Sequence, residues 1–207
     1  TIPEEDIYQA SRNVMIMNTF QMHLGKEVEL TPSVFAYSML YPYTDNFLDA
    51  VEVDVREKQD ANGRLCLRLK GQAAPARNRR ERMIDALVEM IEEEFDRRTH
   101  PEVYESLLAI HQAQCRSVTQ QGMGCTESVD ELLNISIEKG GASVLADGYL
   151  VAGDLKREDA EFFFHFGVVL QLIDDLQDLK EDLFRHHRTL VGAAAESGSL
   201  DAFTNRC

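Results

Sequence analysis

Basic residues are scarce in this chain, and their scarcity is the first constraint on what it binds. Lys and Arg together number 21 against 36 Asp and Glu, so the formal net charge is −15 at pH 7. A charge of this sign repels phosphate backbones and anionic lipid surfaces, which disfavours nucleic acid and membranes as the main partners. Cations are the partners that the composition favours.

Tryptophan is absent, and the chain has only four cysteines and no long apolar run. The cysteines form no CxxC pair and have no histidine nearby at zinc spacing, so we interpret them as reduced thiols. No apolar run reaches the roughly 18 residues of a membrane span, and the opening TIPEEDIYQA lacks a signal-peptide pattern. We therefore expect a soluble, cytoplasmic protein with no transmembrane segment.

Hydrophobic residues are abundant and follow helical spacing. They make up 44% of the 207 residues, enough to bury one sizeable core. Strand signals are scarce, which predicts an all-α fold. The simplest organisation is a single domain over residues 1–207.

Capping residues and apolar spacing predict the helices of the first half. Thr31 followed by Pro32 predicts a helix start, and we expect this helix to run to residue 55 with a kink at Pro42. Residues 58–78, KQDANGRLCLRLKGQAAPARN, are predicted to form a long surface loop. Amphipathic patterns predict two bundle helices that follow, over residues 78–98 and from 101 to about 121.

Two helices are predicted in the second half of the chain. The first begins near residue 129 and is expected to break or kink at Gly140-Gly141. The second starts near Lys156 and carries the apolar and acidic residues as far as Asp182.

The stretch QLIDDLQDLKED, residues 171–182, concentrates acidic residues on one side of this last helix. Its four aspartates are Asp174, Asp175, Asp178 and Asp182. At about 100° per residue they share an arc roughly 100° wide with Gln171, beside an arc of leucines. Like charges at i, i+4 cost roughly 0.2–0.5 kcal/mol per pair, and no lysine lies inside the arc. A bound cation is the natural complement.

A second acidic pair, Asp45 and Asp49, stands at i, i+4 in YPYTDNFLDA. Taken alone, such a pair is more typical of a solvated helix face. Two acidic clusters with apolar flanks can also face each other across a bundle and hold divalent cations through oxygen ligands. Magnesium commonly bridges carboxylates to substrate phosphate oxygens, so we predict facing clusters and a diphosphate ligand.

The two motifs together resemble a known superfamily. DNFLD at 45–49 and QLIDDLQD at 171–178 resemble the aspartate-rich motifs of class I isoprenoid synthases, which include trans-prenyltransferases, squalene and phytoene synthases and terpene cyclases. The second motif matches a Q-x-x-D-D-x-x-D pattern, and DLKED at 178–182 resembles the DxxED form of squalene and phytoene synthases. The resemblance covers roughly residues 33 to 190.

The resemblance implies an antiparallel helical bundle with a central apolar cavity and three magnesium ions at its mouth. It implies an enzyme that ionises an allylic isoprenyl diphosphate for condensation or cyclisation, with a homodimer as a further expectation. The implied magnesium ligands are Asp45, Asp49, Asp174 and Asp178, with Asp175 and Asp182 in the first or second shell. Lys139, Arg188 and Gln171 are the residues expected to contact the diphosphate.

Aromatic residues are candidates for the cavity wall, because ring faces stabilise a carbocation. The candidates are Phe35, Tyr41, Phe47, Phe163 and Phe166. Each is also typical of ordinary core packing. His186 and His187, which follow the acidic helix, are typical of a polar helix end that complements the helix dipole.

Departures from the family pattern bear on the reaction. Asn46 stands where chain-elongating prenyltransferases have a second aspartate, and only Arg56 follows in place of an arginine pair. A second diphosphate needs its own basic pocket, so we rank chain elongation below reactions of the allylic diphosphate alone. Terpene cyclases have a form of the second motif in which the metal ligands are Asn, Ser or Thr, and Glu. That form is also absent. The dense basic cluster, which lies beside the predicted loop, is Arg77, Arg79, Arg80 and Arg82.

Two alternative functions are open at this point. Only 44 residues precede Asp45 and 25 follow Asp182, fewer than the family carries, so either the sequence is a fragment or terminal segments are missing. A catalytically silent subunit or interaction protein of the same fold is therefore one alternative. A carboxylate-bridged di-iron bundle is the other, but it requires Glu-x-x-His, which this sequence lacks.

Overall fold

The computed structural model describes residues 3–50, 53–120 and 127–205, and helices dominate these ranges. No strand is formed within them, which confirms the all-α prediction. None of the helices in these ranges is long and apolar enough to cross a membrane.

The described ranges contain ten α-helices and one 3₁₀ turn, at Val118–Gln120. In chain order the α-helices are α1 Glu4–His23, α2 Pro32–Asp49, α3 Val55–Leu69, α4 Arg79–Glu94, α5 Pro101–Ser117, α6 Val129–Ala152, α7 Arg157–Gln177, α8 Leu179–Arg185, α9 Leu190–Glu196 and α10 Leu200–Thr204.

The helices form two compact units. Unit 1 comprises Thr1–His111 and Ala146–Arg157, and unit 2 comprises Gln112–Leu145 and Glu158–Cys207. In unit 1, α2 packs against α1 and α4, and α3 packs against α4. In unit 2, α9 packs against α8 and α10. The single domain predicted for residues 1–207 stays a prediction.

Helix α2 begins where the sequence predicts. Thr31 is its N-cap and accepts a hydrogen bond from the backbone N–H of Val34, with Oγ1 and N 3.3 Å apart. The helix contains Pro42 and ends at Asp49, so the predicted end at residue 55 is wrong. The reason is that Asp54 caps a new helix, its carboxylate accepting the backbone N–H of Arg56 at 2.8 Å.

The surface loop predicted over residues 58–78 is wrong as far as Leu69, because α3 occupies Val55–Leu69. Leu65 and Leu69, four residues apart, are buried, which gives the helix an apolar face despite its internal Asn-Gly. Packing of that face against α4 outweighs the local preference of glycine for turns.

The break predicted at Gly140-Gly141 is also wrong, since α6 runs without interruption from Val129 to Ala152. These glycines allow α7 to approach closely. A Cβ on Gly140 would lie 2.5 Å from the carbonyl oxygen of Gly167, and a Cβ on Gly141 would strike the Phe164 ring. The glycines therefore serve helix packing and do not end the helix.

The helix predicted from Lys156 to Asp182 is divided in two. Helix α7 ends at Gln177, and Asp178, with φ −89° and ψ 0°, is the N-cap position of α8. Carboxylates at i, i+4 spacing repel one another and disfavour an uninterrupted helix here. Asp182 therefore belongs to α8 and not to the α7 arc.

Unit 1 encloses a buried polar network around Asp147 of α6. Its side chain is 1% exposed, and Oδ1 accepts a hydrogen bond from Asn13 Nδ2 at 3.2 Å. Asn13 also donates to Ser38 Oγ at 3.2 Å. Burial raises the pKa of Asp147 to about 8, against a smaller lowering by the Asn13 hydrogen bond, so the acid is mostly protonated at neutral pH.

Gly140→Ala tests the contact between α6 and α7. We expect it to lower the free energy of unfolding by about 1–3 kcal/mol, because the new methyl group has no space. Gly63→Ala, in α3, is the matched control and should be neutral or stabilising, because a Cβ there would meet nothing within 4 Å. Urea denaturation measures both, and equal effects of the two changes would contradict the packing role.

Asp147→Asn tests the buried acid. Between the unfolded pKa of 3.8 and the folded pKa of about 8, the folded protein holds a proton that the unfolded chain lacks. Stability therefore falls as pH rises through this window. The variant keeps the Oδ1 acceptor without titrating, so its melting temperature should fall less across the window. Asp201→Asn, at an exposed site on α10, should follow the wild-type pH profile.

Candidate functional site

The aspartates of α7 lie on the same side of the helix as its buried residues. Phe163 and Gly167 are buried on this face, and at about 100° per residue they share an arc of roughly 120° with Asp174 and Asp175. Asp175 is only 7% exposed, whereas Asp174 is exposed. One carboxylate thus lies in the contact with α6, and the other lies at the solvent-exposed edge of that contact.

The opposite side of α7 is apolar and faces solvent. Its exposed side chains are Phe162, Phe166, Val169, Ile173 and Leu176. Ordinary amphipathic helices show the reverse arrangement, with polar residues outside and apolar residues inside. This inversion distinguishes the second motif from a solvated acidic face.

Asp175 is held by hydrogen bonds from both helices. Gln171 Nε2 donates to its Oδ1 at 2.8 Å, and Ser136 Oγ of α6 donates to its Oδ2 at 3.3 Å. Burial is the largest influence and raises the pKa of Asp175, and the charges of Asp182 and Asp174 raise it further. The Gln171 hydrogen bond and the charge of Lys139 act in the opposite direction. The site therefore favours added positive charge.

The residues that follow the second motif are held in place by contacts within unit 2. Asp182 Oδ1 lies 3.3 Å from His187 Nδ1, and His186 closes α8 in a left-handed conformation with φ 56°. The backbone N–H of Arg188 donates to the Gln120 carbonyl at 2.9 Å, and Gln120 Nε2 donates back to the Arg188 carbonyl at 3.1 Å. Asp182 is thus already engaged by a histidine.

The first motif lies on the last turns of α2, in unit 1. Asp45 is half-buried, and the side chain of Asp49 lies outside the described residues. Asn46 donates from Nδ2 to Asp6 Oδ1 at 2.7 Å and to Gln9 Oε1 at 3.2 Å. An aspartate here would repel Asp6, which is a physical reason for an amide at this position. The facing of the two motifs, which lie in different units, stays a prediction.

The predicted aromatic residues occupy different environments. Phe163 is fully buried, Phe35 is 40% exposed, and Phe166 stacks on Phe162 with ring centroids 5.8 Å apart. The side chain of Tyr41 lies outside the described residues. Phe47 of the first motif lies beneath the guanidinium of Arg80, whose Cζ is 3.0 Å from the ring centroid.

A cavity of about 30 Å³ between α2, α3 and α4 brings basic residues beside the first motif. Phe47 and Arg80 line it with Arg64 and Arg68 of α3, two residues that the sequence interpretation missed. Their spacing of four residues was the available signal, but it places them on one helix face only once α3 is recognised as a helix. Arg79 and Arg82 are exposed, and Arg77 pairs with Asp60.

The donors of the second motif fit a hard divalent cation in type, since all are carboxylate oxygens and Asp175 sits where positive charge is favoured. Among residues 3–50, 53–120 and 127–205, no three His, Cys, Asp or Glu side chains are grouped closely enough to hold a metal ion. Cys66 is a free thiol, and Cys125 and Cys207 lie outside the described ranges.

Comparison with known proteins adds no constraint on this site. No protein-family model, no curated protein and no solved structure matches the chain.

Proposed function

We propose that this protein is a class I isoprenoid synthase that ionises an allylic isoprenyl diphosphate with the help of magnesium. The proposal joins the resemblance of the two aspartate motifs to the geometry of the second one. Its fold would be the helical bundle of that superfamily, with the apolar cavity lying below the aspartates.

One observation carries the proposal: the acidic arc of α7 continues the buried face of the helix. Burying Asp175 costs free energy unless the carboxylate gains partners. Two hydrogen bonds from Gln171 and Ser136 orient it while Asp174 stays open to solvent beside it. A purely solvated face has no reason to bury and orient a carboxylate, whereas a ligand site at the rim of a cavity does.

The proposed roles of the aspartates come from the resemblance to the superfamily. Magnesium held by Asp45, Asp49, Asp174 and Asp178, with Asp175 and Asp182 supporting, would neutralise the charge that develops on the departing diphosphate. Lys139, one turn from Ser136 on α6, already acts on Asp175 and is suited to donate to a diphosphate oxygen. Gln171 holds the Asp175 carboxylate in place, and Arg188 supplies a second cation near the end of the motif.

The second candidate function is a catalytically silent subunit or interaction protein. The apolar outer side of α7, where Phe162, Val169 and Ile173 are 45% to 51% exposed, favours this alternative because such surfaces mark contact sites. Incubation with magnesium and geranyl, farnesyl or geranylgeranyl diphosphate separates the two functions. Release of diphosphate supports the enzyme, and its absence with all three substrates supports the silent protein.

Magnesium with pyrophosphate should stabilise the fold, since it relieves repulsion among the aspartates. Binding at 100 times Kd adds about 2.7 kcal/mol, which for this chain length raises Tm by roughly 5–11 °C. We expect Asp178→Ala to lose most of this gain in thermal denaturation. Asp201→Ala, an exposed aspartate on α10, is the matched control and should keep it. An unchanged melting curve of the wild-type protein would contradict the site.

Product analysis tests the reaction type. Because no arginine pair follows the first motif, we expect a hydrocarbon or alcohol from the allylic substrate alone. A longer linear prenyl diphosphate, formed only when isopentenyl diphosphate is added, would overturn the ranking. Gas and liquid chromatography of the extracted products distinguish the two outcomes.

A further inference from the structure

Arg80 is a half-buried cation whose partner is not a carboxylate. Its guanidinium lies over the Phe47 ring with Cζ 3.0 Å from the centroid, and it lines the cavity between α2, α3 and α4. In the part of the chain that the structure describes, no carboxylate oxygen lies within the 4.0 Å of an ion pair to Arg80. Burial accordingly lowers the pKa of Arg80, more than the charges of Glu81 and Glu57 raise it.

The other charged residues of the cavity already have partners. Arg64 binds Glu81 through two nitrogens, with Nε and Nη2 at 3.1 and 2.6 Å from Oε2. Arg68 binds Glu92 at 2.7 and 2.6 Å and lies 3.7 Å from Asp85. Glu81 is therefore paired with Arg64, and Arg68 is shared between Glu92 and Asp85. Among the arginines that line the cavity, Arg80 is the one that the described residues show with an aromatic ring and no ion pair.

Arg80 also stands at the electrostatically adverse end of its helix. It is the second residue of α4, whose N-cap, Asn78, accepts the backbone N–H of Glu81 at 2.9 Å. The N-terminus of a helix carries partial positive charge, so it favours anions and disfavours cations. Arg79 and Arg82, both exposed in the same turn, add to the positive potential.

We propose that Arg80 binds an oxyanion of the phosphate type at the mouth of this cavity, without a metal ion. The 30 Å³ of the cavity accommodates about one oxygen atom, so one oxygen of the anion enters while the others stay at the rim. A guanidinium presents parallel N–H donors that match two phosphate oxygens. The anion is either free phosphate or the phosphate end of a larger substrate. This site goes beyond the proposed aspartate centre and does not depend on it.

Binding of inorganic pyrophosphate in divalent-free buffer tests the proposal. We expect calorimetry to detect binding to the wild-type protein and at least ten-fold weaker binding to Arg80→Gln. Arg79→Gln, which removes an exposed arginine next in sequence, is the matched control and should lose little affinity. The affinity of Arg80→Lys for pyrophosphate should fall between that of Arg80→Gln and that of the wild-type protein, because an ammonium keeps the charge but not the paired N–H donors.

Two further measurements keep the test decisive. Far-UV circular dichroism shows whether Arg80→Gln is folded, and if it is not, Arg80→Lys and Phe47→Leu replace it. Asp178→Ala should retain metal-free pyrophosphate binding, so failure of the aspartate site and failure of this site give different results. Equal affinity of wild type and Arg80→Gln, or no wild-type binding, would overturn the proposal.

The source of the anion is decided by comparing ligands. Isopentenyl diphosphate that binds more tightly than inorganic phosphate and pyrophosphate assigns the site to the head group of a substrate. Equal binding of the three assigns it to the free anion. Both results support an oxyanion site at Arg80, provided that Arg80→Gln weakens the binding of each ligand.

Discussion

The backbone contact between α6 and α7 determines the geometry of the second aspartate motif. Gly140 and Gly167 lack side chains where the two helices meet, and a Cβ on Gly140 would lie 2.6 Å from the Cβ of Gln171. This closeness lets Ser136 reach Asp175 and brings the charge of Lys139 to bear on the same carboxylate. Without the close approach, the aspartates of α7 would be a solvated acidic stripe.

Buried carboxylates have different surroundings in the two units. In unit 1, Asp147 is held neutral by burial and bonded to Asn13. In unit 2, Asp175 keeps a lysine charge nearby and open carboxylates beside it. The first arrangement stabilises a core, while the second leaves Asp174 exposed beside the buried Asp175, which is where the proposed cation would bind.

Sequence patterns predicted the all-α class and the Thr31 cap, because caps and periodicity are local properties. They failed at α3 and at Gly140-Gly141, where local turn preference and tertiary packing disagree. The same failure hid the cavity arginines. Arg64 and Arg68 share a face with each other, and contact Glu81 and Glu92, only because α3 is helical.

The sequence by itself determined the type and spacing of the aspartates that are proposed to bind a cation, since both can be read along one helix without further information. The resemblance of the two aspartate motifs to those of isoprenoid synthases, on which the proposed reaction depends, also comes from the sequence alone. Only the tertiary structure decided that Asp175 is buried and Asp174 open, that Asn46 bonds to Asp6, and that Arg80 lies over Phe47. Each of these depends on contacts between residues far apart in the chain, which periodicity along a single helix does not encode.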